Sequence, residues 1–115
     1  MRVPNWQDAE VSEAKMTEYL LSPTHPIGRH KAAFFRSFGF SLGSWDVLSD
    51  ALHCHIADYD IAEIQSNPYG TRYAVEGPLL SPDGRSPTVR SVWFVGTDEL
   101  IPRFVTAYPC ARSHP

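Results

Sequence analysis

A chain of 115 residues with 43% hydrophobic and 20% charged content has the size and make-up of one folded domain, which excludes a disordered body. No apolar run approaches the ~20 residues of a membrane span, and Met1 to Lys15 lacks the apolar core of a signal peptide, so the expected location is the cytoplasm. A net charge of −3 and a pI of about 5.9 argue against indiscriminate nucleic-acid binding.

Residues 1–10 read as a loosely held arm. From Ser12 the pattern becomes helical, with Met16, Tyr19 and Leu20 on one buried stripe. Pro23 and Pro26 end that helix, because proline removes a donor and restricts the residue before it. A second helix opens near Ile27-Gly28 and runs to Phe38, with Ile27, Phe34, Phe35 and Phe38 as its apolar face. Gly39 is placed to stop it. Ser44 is the predicted N-cap of a third helix from Trp45 to about Ala57, buried along Trp45, Leu48, Leu52 and Ile56.

After Tyr59 the period changes to two. Strands are predicted over 61–66, 71–76, 88–95 and 103–108, with turns at Asn67-Pro68-Tyr69-Gly70, Ser81-Pro82-Asp83-Gly84 and Gly96-Thr97-Asp98-Glu99. Short connections favour antiparallel neighbours. The predicted fold is therefore α+β: about three N-terminal helices packed on one face of a four-stranded antiparallel meander sheet. It forms a single domain over 1–115, with a globular core from 11 to 109 and a tail from 110 to 115. The uncovered face of the sheet is the natural place for a site.

Cys54 and Cys110 are too few and too far apart for a disulfide framework, so free thiols are expected. His53-Cys54-His55 is no metal cluster, since helix neighbours point about 100° apart. No metal and no cofactor are expected. Charge is uneven along the chain. Residues 1–66 hold five cations against nine carboxylates, whereas residues 67–115 hold five arginines against four carboxylates. Arginine is the better fork for phosphate.

The most informative stretch is His25-Pro26-Ile27-Gly28-Arg29-His30-Lys31. It gathers two histidines and two cations at a helix start, where backbone N–H groups favour an anion. Histidine is also the side chain suited to moving protons near neutral pH. Lys31 falls within the apolar arc of its helix. Two readings of it stand: its stem snorkels past the core, or it reaches into a cleft at the end of the sheet. His30 likewise reads as a surface or capping residue, or as part of a site. On the strands, Thr71, Tyr73 and Val75 share one face and Arg72, Ala74 and Glu76 the other. Thr88 and Arg90 point with Val92 and Phe94, and Phe104, Thr106 and Tyr108 share a face opposite Arg103, Val105 and Ala107. No Gly-rich phosphate loop, HExxH, CxxC pair or G-x-S-x-G elbow is present, which takes most of the weight from kinase, zinc-protease and serine-elbow hydrolase readings.

The run Tyr19-Leu20-Leu21-Ser22-Pro23-Thr24-His25-Pro26-Ile27-Gly28-Arg29-His30-Lys31-Ala32-Ala33-Phe34-Phe35 resembles the opening of a bacterial domain of uncharacterised activity. That domain typically reads Tyr-Leu-Leu-Asn-Pro-x-His-Pro-x-Gly-x-x-Lys-Ala-x-x-Phe. Later marks are similar too: Tyr69-Gly70-Thr71-Arg72-Tyr73, Gly77-Pro78, Pro82-Asp83-Gly84-Arg85, Val89-Arg90-Ser91-Val92-Trp93 and Pro102-Arg103-Phe104-Val105-Thr106-Ala107-Tyr108-Pro109. Ser22 stands where the family usually has Asn, and Ser91 where it has Thr. The resembling domain occurs alone and as a C-terminal module of polymorphic toxins. Its layout is similar to the barnase, EndoU, colicin and RelE group of ribonucleases. The resemblance implies metal-independent cleavage of RNA by attack of the ribose 2′-OH on the adjacent phosphate. It implies His25 and His30 for proton transfer, and Lys31, Arg90 and Thr106 as their catalytic companions. Thr71, Tyr73, Arg85, Arg103 and Tyr108 would hold substrate. RNA would be the substrate, and an antitoxin or immunity protein the neutralising partner. The alternatives are a non-catalytic binding module, itself an antitoxin or immunity-type partner, and a domain that self-associates through a sheet edge.

Overall fold

In the computed structural model, which describes residues 1–110, the chain runs through its helices before its sheet. Ser12 opens the first helix, its Oγ accepting from the Lys15 N–H at 3.2 Å. One α-helical turn, α1 (Glu13–Lys15), passes into a π-helical turn over Met16–Leu20, closed by Leu21 N–H donating to the Met16 carbonyl at 2.8 Å. The wider turn adds Leu21 to the buried stripe of Met16 and Leu20 and leaves Tyr19 half-buried at its edge.

Helix α2 (Arg29–Ser37) starts two residues later than expected, so Ile27 lies outside it and is 67% exposed rather than part of the apolar face. It ends in a Schellman motif: Gly39 takes φ 99°, its N–H reaches the Arg36 carbonyl, and the Phe40 N–H reaches that of Phe35. Helix α3 (Trp45–Asp58) buries Leu48, Leu52 and Ile56 as its spacing requires, but the Ser44 side chain makes no capping bond. No helix among the described residues is long and apolar enough to cross a membrane.

Four strands follow: β1 (Ile61–Asn67), β2 (Gly70–Pro78), β3 (Thr88–Gly96) and β4 (Arg103–Pro109). They form one antiparallel meander in the order β1-β2-β3-β4. The β1–β2 turn is set by Asn67, whose Oδ1 accepts from the N–H groups of Tyr69 and Gly70. The helices lie on one face, where Phe35, Leu52, Val75, Val89, Trp93 and Ala107 meet in a single core.

Two β-bulges break the period of two. One falls between Ile61 and Glu63, the other at Val105, where Val92 pairs with Thr106 but Trp93 pairs with Phe104. Phe104 therefore faces the core and Thr106 does not, which corrects the expectation that Phe104, Thr106 and Tyr108 share a face.

Residues 1–10, expected as a loose arm, are instead packed in. Val3 and Ala9 are buried, the Ile61 N–H donates to the Met1 carbonyl, and Arg2 pairs with Asp60. Glu10 bridges to β4 through Phe104 N–H. Only Cys110 of the expected tail falls within the described residues.

His53, Cys54 and His55 diverge, as neighbours on a helix must. His53 reaches the Ala9 carbonyl, Cys54 is exposed, and His55 is buried. His55 ends a hydrogen-bonded chain through the core. Trp93 Nε1–H donates to Ser91 Oγ (2.9 Å), Ser91 donates to His55 Nδ1 (2.9 Å), and His55 Nε2–H donates to the Gly77 carbonyl (3.0 Å). Every member of the chain is satisfied with His55 neutral.

Candidate functional site on the open sheet face

The bulges decide what the uncovered face carries. Glu63 and Gln65 of β1, Arg72, Ala74 and Glu76 of β2, Arg90 and Val92 of β3, and Thr106 and Tyr108 of β4 all point there. All of these except Glu76 line a hollow of about 200 Å³, with Ala74 and Val92 as its apolar floor. Arg90 sits across one wall, its two terminal nitrogens donating to Glu76 and Glu63. Gln65 in turn donates to Glu63 at 2.7 Å. Burial disfavours the charged form of Arg90, but Glu76, Tyr108 and Glu63 outweigh that and hold it firmly cationic.

At the β4 rim the π-helical turn and α2 bring two side chains over the strand. Lys31 Nζ donates to Tyr19 Oη at 2.6 Å and to Thr106 Oγ1 at 3.0 Å, and Tyr19 Oη lies 2.9 Å from Thr106 Oγ1. The three polar atoms form a closed triangle. Lys31 Nζ also lies 5.2 Å from the Tyr19 ring centre and 5.7 Å from that of Tyr108. Lys15 approaches the Tyr19 ring from its own helix at 5.3 Å. Burial works to raise the Tyr19 pKa. The hydrogen bonds from Lys31 and Thr106 and the charges of Lys31 and Lys15 together overcome it, leaving the phenol below its ordinary value.

The start of α2 is built around His25. Its Nδ1 accepts from the N–H groups of Ile27 (3.0 Å) and Gly28 (2.9 Å), satisfying donors that the first turn leaves free. The ring hydrogen consequently sits on Nε2, and the imidazole meets the Tyr19 ring edge-on at 5.1 Å. Gly28 is required by contact: a Cβ there would lie 2.2 Å from the Tyr19 carbonyl oxygen. Gly28→Ala is expected to cost about 1–3 kcal/mol of stability in urea unfolding, because backbone must move to admit the methyl.

Of the residues named from sequence, His25, Lys31, Arg90, Thr106 and Tyr108 belong to this rim and hollow. His30 is exposed and makes no hydrogen bond or ring contact among the described residues. Thr71 and Tyr73 lie on the opposite sheet face, Thr71 against Ser66 and Tyr73 against the core. Arg85 ties Asp83 to the Ser37 carbonyl at the far end of α2 and stacks over Phe38. Arg103 pairs with Glu99 beside a separate hollow shared with Glu10, Ser12 and Lys15. Tyr19, Glu63, Gln65 and Arg72 line or border the same hollow and rim, and sequence reasoning passed them over. Tyr19 looked like one more core position, although it opens the motif that contains His25 and Lys31. Among the described residues no three His, Cys, Asp or Glu side chains are grouped to hold a metal ion.

Helices on one face of a four-stranded meander, with a polar hollow on the other, define an α+β domain whose candidate site lies on the open sheet face. The chain belongs to the family described as "Domain of unknown function (DUF6883)", whose model matches residues 2–111. No curated protein matches the sequence. Among solved structures the fold is similar to one chain of a contact-dependent growth inhibition toxin–immunity protein complex from Klebsiella pneumoniae 342. That alignment has a TM-score of 0.68 and 20% identity, covering 87% of this chain and 98% of the other. The likeness is one of fold.

Proposed function

We propose that this domain is a toxin-type endoribonuclease that cuts RNA by attack of the ribose 2′-OH on the adjacent phosphate. The observation that carries the reading is the Lys31–Tyr19–Thr106 triangle at the rim of a hollow that also holds Arg72 and Arg90. A phosphodiester needs cationic donors where charge builds on phosphorus oxygens, and a proton acceptor and donor for the two sugar oxygens. Lys31 supplies the charge. Thr106 and the Nε2–H of His25 supply neutral donors, and Arg72 and Arg90 hold flanking phosphates. His25 is a donor in this scheme rather than a base, because its Nδ1 is already taken by backbone N–H groups. Metal-independent chemistry follows from these roles. The fold shared with a chain of a toxin–immunity complex supports a toxin- or immunity-type role. A protein of this kind acts on cytoplasmic RNA and needs an immunity-type partner that covers the hollow.

The test is incubation of the purified protein with total bacterial RNA. Fragments ending in 2′,3′-cyclic phosphate are the expected result, and RNA left intact at equimolar protein overturns the reading. A second reading, a non-catalytic immunity-type partner, is favoured by Glu63 and Glu76, which neutralise Arg90 inside the hollow. Intact RNA together with tight binding to a toxin domain would select it.

A further inference from the structure

We infer that Tyr19 and Lys31 form the acid–base couple of the reaction proposed above, with Tyr19 taking the proton from the 2′-OH and Lys31 delivering one to the leaving 5′-oxygen. The inference rests on the ribonuclease reading and names the groups that move protons in it.

The geometry of the triangle carries it. Two donors, Lys31 Nζ and the Thr106 hydroxyl, converge on one phenolic oxygen at 2.6 and 2.9 Å. When Tyr19 is a phenolate it accepts from both, and no polar atom of the triangle lacks a partner. The charged groups around the ring favour that form from more than one side. Lys15 comes from its own helix and Lys31 from α2, and both ammonium nitrogens lie just over 5 Å from the ring centre, at 5.3 and 5.2 Å. His25 presents its ring edge-on from the loop before α2, and Tyr108 of β4 lies beyond Lys31. Among the described residues no carboxylate bonds to any atom of the triangle. A lysine ammonium has three N–H groups, and the triangle uses two, so one is left to face a substrate.

The step balances. Tyr19 Oη removes the 2′-OH proton, and the freed oxygen forms a bond to phosphorus. The bond from phosphorus to the 5′-oxygen breaks, its electron pair stays on that oxygen, and Lys31 protonates it. The cycle then closes without solvent. Tyr19 holds one proton more and Lys31 one fewer, and the existing 2.6 Å hydrogen bond returns it.

Two measurements test this. Tyr19→Phe keeps the ring and its packing, so wild-type melting behaviour is expected with RNA cleavage reduced about 100-fold or more. In the wild type, cleavage should rise with pH along an acidic limb set by Tyr19. Lys15→Gln removes one stabilising charge and should move that limb to higher pH, which a merely structural role for Tyr19 would not do. Independently of activity, ultraviolet titration of the five tyrosines should show one phenol ionising ahead of the rest, lost in Tyr19→Phe. If the wild type cuts RNA while Tyr19→Phe cuts at the same rate with the same pH profile, the couple is overturned and the ribonuclease reading survives. An ordinary titration of Tyr19 likewise overturns it. Wild-type protein that leaves RNA intact overturns the ribonuclease reading, and the couple with it.

Discussion

Lys31→Met is expected to lower RNA cleavage by about 10³-fold, the scale seen when a preorganised donor is removed from a reacting anion. Methionine retains an unbranched stem, so the half-buried position between Tyr19 and Tyr108 stays filled and the melting temperature should hold. In the proposed reaction the substitution removes the cation set against phosphate and, at the same time, a partner that lowers the Tyr19 pKa. The effect should therefore fall on kcat more than on KM, because the lost interactions develop in the transition state. Single-turnover cleavage of a short oligoribonucleotide measures it. A change of less than about tenfold would remove Lys31 from the chemistry.

His55→Ala is expected to destabilise the fold by about 3 kcal/mol at about pH 7.5, through a cavity and two stranded partners, Ser91 Oγ and the Gly77 carbonyl. The pH dependence has a definite sign. Burial disfavours the imidazolium and outweighs the backbone carbonyls and Asp58, so the folded pKa lies below the ordinary 6.5. Between the two values the unfolded chain binds the extra proton. His55 thus contributes stability that is fully present above 6.5 and is lost as pH falls from there towards the folded value. Urea midpoints taken between about pH 7.5 and 5.5 should fall in the wild type and fall less steeply in His55→Ala. Parallel slopes would show that the buried ring titrates normally. His55 lies in the core behind the sheet, so cleavage per folded molecule should be unaffected by its contribution to stability.

The order of elements was legible because each relies on local signals. Leu48, Leu52 and Ile56 declare a helix by spacing, and Thr88 to Val95 declares a strand by its β-branched and aromatic residues. Asn67 sets its turn through its own side chain. The candidate site was legible only in part. His25 and Lys31 stood out because polar groups clustered at a helix start. The face carrying Thr106 and Tyr108 could not be read, since an extra residue at Val105 leaves no mark in composition. Tyr19 carried the same spacing as its core neighbours, and only the π-helical turn swings its hydroxyl out over β4. Thr71 and Tyr73 read as substrate contacts because the periodicity of β2 does not say which side the helices cover. Residues 1–10 read as loose because their anchors, Ile61 N–H and Phe104 N–H, belong to strands more than 50 positions away.

The extra residue in β4 also makes the candidate site depend on Val105 being bulged out of the ladder. Were β4 to pair without the bulge while keeping Val105, parity would trade Thr106 and Tyr108 for their neighbours along the whole end of the strand, whereas deleting Val105 would leave both on the open face. In that unbulged register the threonine would leave Lys31 and Tyr19, while Phe104 and Ala107 could no longer both stay inside. Lineages of this domain should accordingly keep Thr106 and Tyr108 on the open face with or without a residue at 105, while a single deletion between Thr106 and Tyr108 would put them on opposite faces.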